Sequence, residues 1–518
     1  MANKDYRKDV KDFSLNSDPV DILIIGNGPS ALTLSYLLHG NIPFYDSNGT
    51  YGPHPDPTLH SLLSPVSSLY EDILHNVSLQ QYLVHAHRPF TSQAVSPVNF
   101  LLDSLVAPNF DTNINAKDQS RIRWDFDRSE AINHLVIGSS LVPGGQWADK
   151  NVPSKTLSYA EMLSLPGYSF DDFYKARYGT SLPSFTRPYR HDVKYYYSIY
   201  PQKVGINDCV HTNITVLSLH RSSSSKFKFT AIIQNNDTKQ IKVINAKSTV
   251  LATGVLSHPA PPDPSLHPII NKGVDFTASS PNNEDAMLII GSGFSAADAV
   301  LATDRRQKII HVFRWDPKGK PSPLRACHEE AYPEYANLYK HMRSSVRSKP
   351  LPADHGDKRK DFLANRYEGI PNGKVVDCST NLIRILLPSG VIIERRFSNL
   401  KCFVGRIGII SYLSGSLRTE IGVPADQFWV SKESFRNRIQ NGIYRWVHTG
   451  LRKRSDKVLN DCDKFDGKIV NYDYDYCATY GLELTHDLFV IGSLLGDSLV
   501  RYSLGSCVLV AANLIDRK

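Results

Sequence analysis

Cysteine is scarce in this sequence, and the few cysteines are scattered. There are seven in 518 residues, an odd number, and no two of them form a C-x-x-C pair. That pair is the usual form of a dithiol redox centre and of a cysteine-based zinc site, so both kinds of site are excluded. Scattered cysteines are typical of reduced thiols, and we therefore expect an intracellular protein.

Long apolar runs and a strong excess of one charge are also lacking. No stretch is long and apolar enough for a transmembrane helix, and residues 1–20 contain no apolar signal-peptide core. Lys and Arg number 59 against 51 Asp and Glu, and no basic stripe is interleaved with aromatic residues. We therefore expect a cytoplasmic protein with no metal site and no nucleic-acid partner.

What the sequence does contain is one pattern that occurs twice. In each copy a short run of apolar residues, typical of a buried strand, leads into a glycine-rich turn and then a helical pattern. The first copy starts at Val20 and the second at Ala286. Two such strand–turn–helix units predict an α/β protein with two Rossmann-like dinucleotide-binding domains.

The turn in each copy reads G-x-G-x-x-A, a spacing that suits a bound pyrophosphate. The first glycine permits a sharp bend, the second lets the phosphates approach the backbone, and the small third residue lets helix and strand pack closely. The phosphates then lie at the helix N-terminus, where free N–H groups attract anions and a serine hydroxyl adds a contact. The residues in these roles are Gly26, Gly28, Ser30 and Ala31 in the first copy and Gly291, Gly293, Ser295 and Ala296 in the second.

The two copies differ at the end of the next apolar segment. Asp46 ends the segment after the first copy, where a carboxylate can accept hydrogen bonds from ribose hydroxyls, although a surface-turn aspartate would look the same. Arg314 ends the segment after the second, where a cation meets the 2′-phosphate of NADP, although a merely exposed arginine remains the alternative. This difference predicts FAD at the first turn and NADPH at the second.

Three further motifs resemble those of flavoproteins with two dinucleotide-binding domains. The segment Val250-Leu-Ala-Thr253-Gly254 is similar to their A-T-G crossover, and Gly496-Asp497 resembles the late Gly-Asp pair whose carboxylate bonds the flavin ribityl chain. The segment Gly144-Gly145-Gln-Trp147 is similar to the G-G-x-W flavin contact of NADPH-binding flavin monooxygenases. The resemblance implies cofactor-binding roles for Gly144, Gly145, Trp147, Thr253, Gly254, Gly496 and Asp497.

Longer segments narrow the resemblance to one family. Taken together, they look like the oxidative stress-induced growth inhibitor family; the segments are 24–38, 142–147, 288–301, 331–335 and 496–502. The resemblance implies a flavin-monooxygenase-like architecture and a role in restraining proliferation, in cell death and in the oxidative stress response.

The expected activity is that of an FAD- and NADPH-dependent monooxygenase. Hydride would pass from NADPH to FAD, followed by activation of molecular oxygen and oxidation of a small-molecule substrate. No catalytic side chain is identified, and the F-x-G-x-x-x-H signature of typical flavin monooxygenases is absent between Gly254 and Gly291. A regulatory protein that keeps the fold, has little turnover and acts through protein partners is therefore the alternative, whereas the absent dithiol disfavours a disulfide reductase.

The order of these motifs predicts the domain organisation. We expect a flexible N-terminus over residues 1–19 and an FAD-binding domain made of residues 20–258 and 470–518. An insertion over residues 50–120, rich in Pro, Ser and His, interrupts the FAD-binding domain, and its fold is not predicted. We expect an NADPH-binding domain over residues 284–410 and a helical or irregular connection over residues 411–469.

Overall fold

The computed structural model describes most of the chain, in several ranges. These are residues 19–87, 96–107, 120–148, 155–183, 185–256, 258–262, 264–267, 286–347, 363, 365–403, 405–430, 482–497 and 499–518. The chain divides into two compact units: unit 1 comprises Met1–Ser257 and Ile407–Lys518, and unit 2 comprises His258–Arg406. The predicted flexible N-terminus, up to residue 18, and residues 431–469 of the predicted connection lie outside the described residues.

The described strands are short and alternate with helices over much of the chain. The strands are β1 (Val20–Ile25), β2 (Asn41–Tyr45), β3 (Ile122–Phe126), β4 (His134–Ile137), β5 (Val210–His211), β6 (Ile214–Arg221), β7 (Phe229–Asn235), β8 (Ile241–Leu251), β9 (His258–Pro259), β10 (Ala286–Ile290), β11 (Ile309–Phe313), β12 (Tyr367–Pro371), β13 (Lys374–Cys378), β14 (Leu382–Leu386), β15 (Ile392–Cys402), β16 (Arg406–Ile409), β17 (Trp429–Val430), β18 (Glu483–Thr485) and β19 (Leu488–Val490).

The described helices are mostly of two to four turns. They are α1 (Pro29–Leu38), α2 (Pro57–Leu62), α3 (Leu69–His75), α4 (Val77–His87), α5 (Pro97–Val106), α6 (Phe170–Tyr178), α7 (Arg190–Lys203), α8 (Phe294–Ala302), α9 (Pro333–Arg347), α10 (Gly415–Glu420) and α11 (Ser503–Asp516). None of these helices is long and apolar enough to cross a bilayer.

The central sheet of unit 1 forms around β1. Its strand order is β18-β19-β8-β1-β4-β5, and β1 is parallel to both of its neighbours, β4 and β8. Nearly every residue of β1 is buried, as expected of a strand covered on both faces. Helix α1 follows from β1 through the first glycine turn, starts with Pro29 at its first position and packs against α11.

The segment 50–120, whose fold the sequence left open, contains helices α2 to α5. Serine or aspartate side chains cap several of them: Asp56 accepts from the N–H groups of Thr58 and Leu59, and Ser68 accepts from that of Glu71. Helices α3 and α5 pack against α11, and their buried leucines belong to the same hydrophobic core as β1. The segment is therefore part of the core of unit 1.

Unit 2 contains a second, smaller sheet. Its strand order is β12-β11-β10-β15-β14-β13, with β10 parallel to both β11 and β15. The strands β13 to β15 form an antiparallel extension of this sheet. Helix α8 follows from β10 through the second glycine turn.

Both glycine turns thus join a buried strand, flanked by parallel neighbours, to a helix. The predicted α/β class with two Rossmann-like units is confirmed. Unit 1 also contains antiparallel pairing, because β7 pairs antiparallel with both β6 and β8.

Candidate nucleotide-binding sites

The first glycine of unit 1 lies where two strand ends touch. Gly26 has a φ of +120°, and a Cβ there would lie 2.3 Å from the carbonyl oxygen of Ala252, just past the end of β8. Both the backbone conformation and this close approach require glycine. The turn is therefore held directly against the crossover segment that contains Thr253 and Gly254.

A second glycine loop supports the first turn. The Gly144 N–H donates to the Asn27 carbonyl at 2.8 Å, and a Cβ on Gly145 would lie only 2.9 Å from the Cα of Gly28. Among the described residues, the nearest atom to a Cβ on Gly28 would be the Gly145 Cα at 4.0 Å, so the space at this Cβ position is open. Such bare backbone is what a pyrophosphate needs in order to approach the turn.

Trp147 follows the second glycine loop in a short 3₁₀ turn and is half-buried. Its ring centroid lies 6.2 Å from that of Tyr197, and the Arg190 guanidinium carbon lies 5.7 Å from the Trp147 centroid. These contacts fix the indole beside the glycine loops, where it can form one wall of a cofactor site.

The other predicted residues of unit 1 meet the turn from neighbouring strand ends. Gly492 follows β19, and a Cβ there would lie 2.3 Å from the Ser30 Oγ; Ala31, beside Ser30 in α1, is fully buried. A Cβ on Gly254 would lie 2.9 Å from the Ser493 Oγ. The Thr253 Oγ1 lies 3.3 Å from the Tyr412 hydroxyl. Residues from β1, β8 and β19 are thus brought together at the carboxyl ends of their strands.

The late Gly-Asp pair is held by the segment 50–120. Gly496, with a φ of +101°, ends a short 3₁₀ turn after β19, and Asp497 follows with only 3% of its surface exposed. The Asn99 Nδ2 of α5 donates to both carboxylate oxygens of Asp497 at 2.9 Å. One turn further along α5, Asp103 accepts from Arg501 at 2.6 and 2.8 Å. Asn99 could not be identified from the sequence as a partner of Asp497. The one hint in the sequence is that Asn99 and Asp103 are four residues apart and so lie on the same face of a helix.

Asp46 does not lie beside the first glycine turn in the way that its position in the sequence suggested. It follows β2, which pairs with β3 in a separate two-stranded sheet and is not a neighbour of β1. One of the two strands beside β1 is β4, and the residue that follows it is Gly138, which carries no side chain. Asp46 therefore does not end a strand that pairs with β1, because the segment 50–120 and β3 come between α1 and β4.

The second glycine turn, in unit 2, is more open than the first. Gly291 has a φ of +144°, and a Cβ there would lie 2.5 Å from the Phe403 carbonyl oxygen and 3.2 Å from the Ala296 Cβ. The small residue at position 296 thus allows α8 to pack closely on β10. A Cβ on Gly293 would meet no described residue within 4 Å, and Ser295 is exposed at the start of the helix.

Arg314 lies where its spacing placed it. It follows β11, which is the parallel neighbour of β10, and its side chain is exposed. Its backbone N–H donates to the Ser292 Oγ of the glycine turn at 2.8 Å, and the Ser322 Oγ donates to the Ser292 carbonyl at 2.8 Å. These bonds fix the start of the Arg314 segment against the turn.

A cationic groove of about 430 Å³ begins at the next residue. Its two aromatic rings, Trp315 and Tyr339, are stacked with centroids 5.4 Å apart. The described lining contains four cations and no carboxylate, and it consists of Trp315, Pro317, Lys318, Arg325, Tyr339, Arg343, Val346 and Arg347. Sequence reasoning missed this groove, although Tyr339, Arg343 and Arg347 follow each other at four-residue intervals and so share one face of α9.

Two buried histidines, His134 in unit 1 and His311 in unit 2, have lowered pKa values. Burial lowers the pKa of both His134 and His311 to about 4, so both rings are neutral near pH 7. In unit 2 the neutral His311 donates from Nε2 to the Gly291 carbonyl at 2.7 Å and accepts from the Tyr367 hydroxyl at 2.8 Å. In unit 1 the Ser35 hydroxyl donates to the His134 Nε2 at 2.8 Å.

Cys209, Cys378 and Cys507 are free thiols rather than halves of disulfides. Burial raises the pKa of Cys209 and of Cys378 to about 11 and that of Cys507 further. Thiols with such raised pKa values are poor nucleophiles at neutral pH.

Curated relatives resemble the chain over much of its length. Oxidative stress-induced growth inhibitor 1 from Mus musculus is 29% identical over 358 residues, which cover 65% of this chain and 72% of that protein. Its counterpart from Homo sapiens is 26% identical over 527 residues, which cover 97% and 96% of the two chains. No protein-family model matches the sequence.

Solved structures show the same fold. Bacillithiol disulfide reductase from Staphylococcus aureus superposes with a TM-score of 0.50 at 11% identity, covering 97% of this chain and 99% of that one. At this identity the likeness concerns the fold alone. The resemblance found in the sequence motifs is confirmed: the chain is a homologue of the oxidative stress-induced growth inhibitors, with the α/β fold of FAD/NAD(P)-binding flavoproteins.

Proposed function

We propose that unit 1 binds FAD, that unit 2 binds NADPH, and that the chain is an NADPH-dependent oxidoreductase of the flavin monooxygenase type. The observation that carries this proposal is that each glycine turn lies at the carboxyl end of a strand with parallel neighbours, whereas the residues around the two turns differ. Ligands of open α/β sheets bind at such strand ends.

The residues of unit 1 fit FAD because they form a bare backbone cradle. Gly28 and Gly145 face each other with no side chain over them, so a pyrophosphate can reach the N-terminus of α1. Asp497, held by Asn99, would accept a hydrogen bond from the ribityl chain, and Trp147 would border the flavin. The cofactor-binding roles proposed for unit 1 are those of Gly26, Gly28, Ser30, Ala31, Gly144, Gly145, Trp147, Thr253, Gly254, Gly496 and Asp497.

The residues of unit 2 fit NADPH because the turn is followed by cations. Gly291 and Gly293 leave room for the pyrophosphate, with Ala296 beneath them and Ser295 beside the helix N-terminus. Arg314 would pair with the 2′-phosphate, a group that NADH lacks. The groove beyond it offers the Trp315 ring for stacking on adenine and further positive charge from Arg343.

Bound FAD supplies the redox chemistry, which is the acceptance of hydride and the delivery of electrons to oxygen. The chain's own contribution is to bind and to orient. The glycine turns would bind the two pyrophosphates, the Asn99 amide fixes the Asp497 carboxylate, and the contact with Tyr197 holds the Trp147 ring in place. No side chain is proposed to act as an acid or a base.

A regulatory role without substantial turnover is the second candidate function. The names of the curated relatives describe growth inhibition and no chemical reaction. The F-x-G-x-x-x-H signature is also absent from this sequence. By homology, we propose that the chain restrains growth under oxidative stress, whichever of the two candidates applies.

Three measurements on the purified chain test the proposal: flavin content, NADPH oxidation and oxygen uptake. We expect about one FAD per chain and oxygen uptake that depends on NADPH. Gly28→Val should weaken FAD binding by about a hundredfold, because the added side chain would occupy the cradle. A folded wild-type chain that binds no flavin would refute the proposal. Full flavin content with no NADPH oxidation would support the regulatory candidate instead.

A further inference from the structure

The strand beside β1 in unit 1 ends without a side chain. Ile25 of β1 pairs with Ile137 of β4, so residue 138 follows β4 directly beside the glycine turn. In dinucleotide-binding units this is the place from which an acidic side chain reaches the hydroxyls of the adenosine ribose. In this chain Gly138 occupies that position, and glycine has no side chain that could form a hydrogen bond with a ribose.

The space over Gly138 is filled by Asn27, the residue between the two glycines of the turn. A Cβ on Gly138 would lie 2.3 Å from the Asn27 Cγ and 2.5 Å from its Oδ1. Asn27 is held in place from the other side, because its carbonyl accepts from the Gly144 N–H. An amide from the turn therefore stands where the strand would ordinarily supply a carboxylate.

The Asn27 amide also has unused hydrogen-bonding capacity. Asn27 is 3% exposed, and its buried Nδ2 has no hydrogen-bond partner among the residues that the structure describes. A buried donor without a partner is unfavourable, and it becomes satisfied when a ligand oxygen accepts from it. Asp46 is no substitute, because its carboxylate folds back over Gly49 of its own turn: a Cβ on Gly49 would lie 2.2 Å from the Asp46 Oδ2.

We propose that Asn27 recognises the adenosine ribose of the flavin cofactor in place of a strand-end carboxylate. Its Nδ2 donates to a ribose hydroxyl oxygen, so recognition requires no negative charge at this position. The proposal rests on flavin binding by unit 1, and it assigns a specificity role to the variable residue of the glycine turn.

The test compares FAD with FMN, since FMN carries the same flavin and ribityl chain but has no adenosine ribose. Flavin fluorescence gives the dissociation constant of each for the wild-type chain, Asn27→Ala and Asp46→Ala. Asn27→Ala should weaken FAD roughly three- to tenfold and leave FMN unchanged, which corresponds to the loss of one hydrogen bond. Asp46→Ala should change neither, and Asn27→Asp should recover most of the FAD affinity, because a carboxylate can accept from ribose hydroxyls.

Several outcomes would overturn the proposal. Equal losses of FAD and FMN in Asn27→Ala would show that Asn27 acts only on the shape of the turn. A selective loss of FAD in Asp46→Ala would assign the ribose to Asp46. A wild-type chain that binds both flavins equally would remove adenosine recognition but keep flavin binding, whereas a chain that binds neither would refute the proposed function itself.

Discussion

The two glycine turns share one sequence pattern but are built differently. In unit 1 the strand beside β1 is reached only after the segment 50–120 and β3, and it ends at Gly138. In unit 2 the strand beside β10 follows directly after α8 and ends at Arg314. The first turn is packed against a second glycine loop, whereas a Cβ on Gly293 of the second turn would meet nothing within 4 Å.

This difference teaches that the glycine pattern fixes the turn but not the ligand. Ligand choice comes from the residues that surround the turn, and these are a neutral amide and bare backbone in unit 1 and a row of cations in unit 2. The following predictions use matched changes in the two units.

The largest expected effect is on the stability of the folded chain, and it should differ between the two glycine turns. Gly26→Ala forces a Cβ to within 2.3 Å of a carbonyl oxygen at a φ of +120°, so we expect a loss of about 3 kcal/mol or more in the free energy of unfolding. Gly293 has open space around its Cβ position and a φ of −104°, so Gly293→Ala should change the free energy of unfolding by less than about 0.5 kcal/mol. Urea unfolding measures both variants, and equal losses would contradict the difference in packing.

A smaller effect concerns the cation at the second turn. Arg314→Ala removes a charge-assisted bond to the 2′-phosphate, so NADPH binding should weaken by about 1 to 3 kcal/mol while NADH binding is unchanged. The control is Lys374→Ala, an exposed cation at the start of β13 that does not line the groove. Titration calorimetry with both nucleotides tests this, and equal losses for NADPH and NADH would refute the role of Arg314.

The smallest effect is on pH dependence. His134 and His311 have pKa values of about 4 in the folded chain. In the unfolded chain a histidine has its ordinary pKa near 6.5. The unfolded chain therefore binds more protons, and stability is full above about pH 6.5 and falls as the pH approaches 4. Each histidine should lower the free energy of unfolding by about 1 kcal/mol between about pH 7 and pH 5.5.

His311→Gln in unit 2 and His134→Gln in unit 1 should each reduce this loss on acidification. Urea unfolding at the two pH values measures it for the wild-type chain and for both variants. An unchanged pH dependence in His311→Gln would mean that His311 has the same pKa in the folded and the unfolded chain, which contradicts the effect of burial.

Much of the fold could be predicted from the sequence because its signals are local. The apolar strand, the glycine turn and the following helix are contiguous, so their pattern identified both units and placed Arg314 at the end of β11. The positions of Gly144, Thr253 and Asp497 near the first turn came from resemblance to other flavoproteins rather than from spacing.

The rest depends on contacts between distant parts of the chain. Counting residues from Gly26 led to Asp46, because nothing local shows that β4 rather than β2 is the neighbour of β1. Asn99 lies 398 residues from the Asp497 that it holds, and it belongs to a segment with weak periodicity. The cationic groove combines the loop after β11 with a face of α9, and only the fold brings those two together.

The central claim is that one chain carries both a flavin and a site that selects NADPH. Anaerobic addition of NADPH to the flavin-loaded chain tests it most directly, followed by flavin absorbance. We expect NADPH to bleach the flavin at concentrations at which NADH does not, and Arg314→Ala to abolish this preference. A flavin that stays oxidised with NADPH, or that NADH reduces equally well in the wild-type chain, would contradict the account.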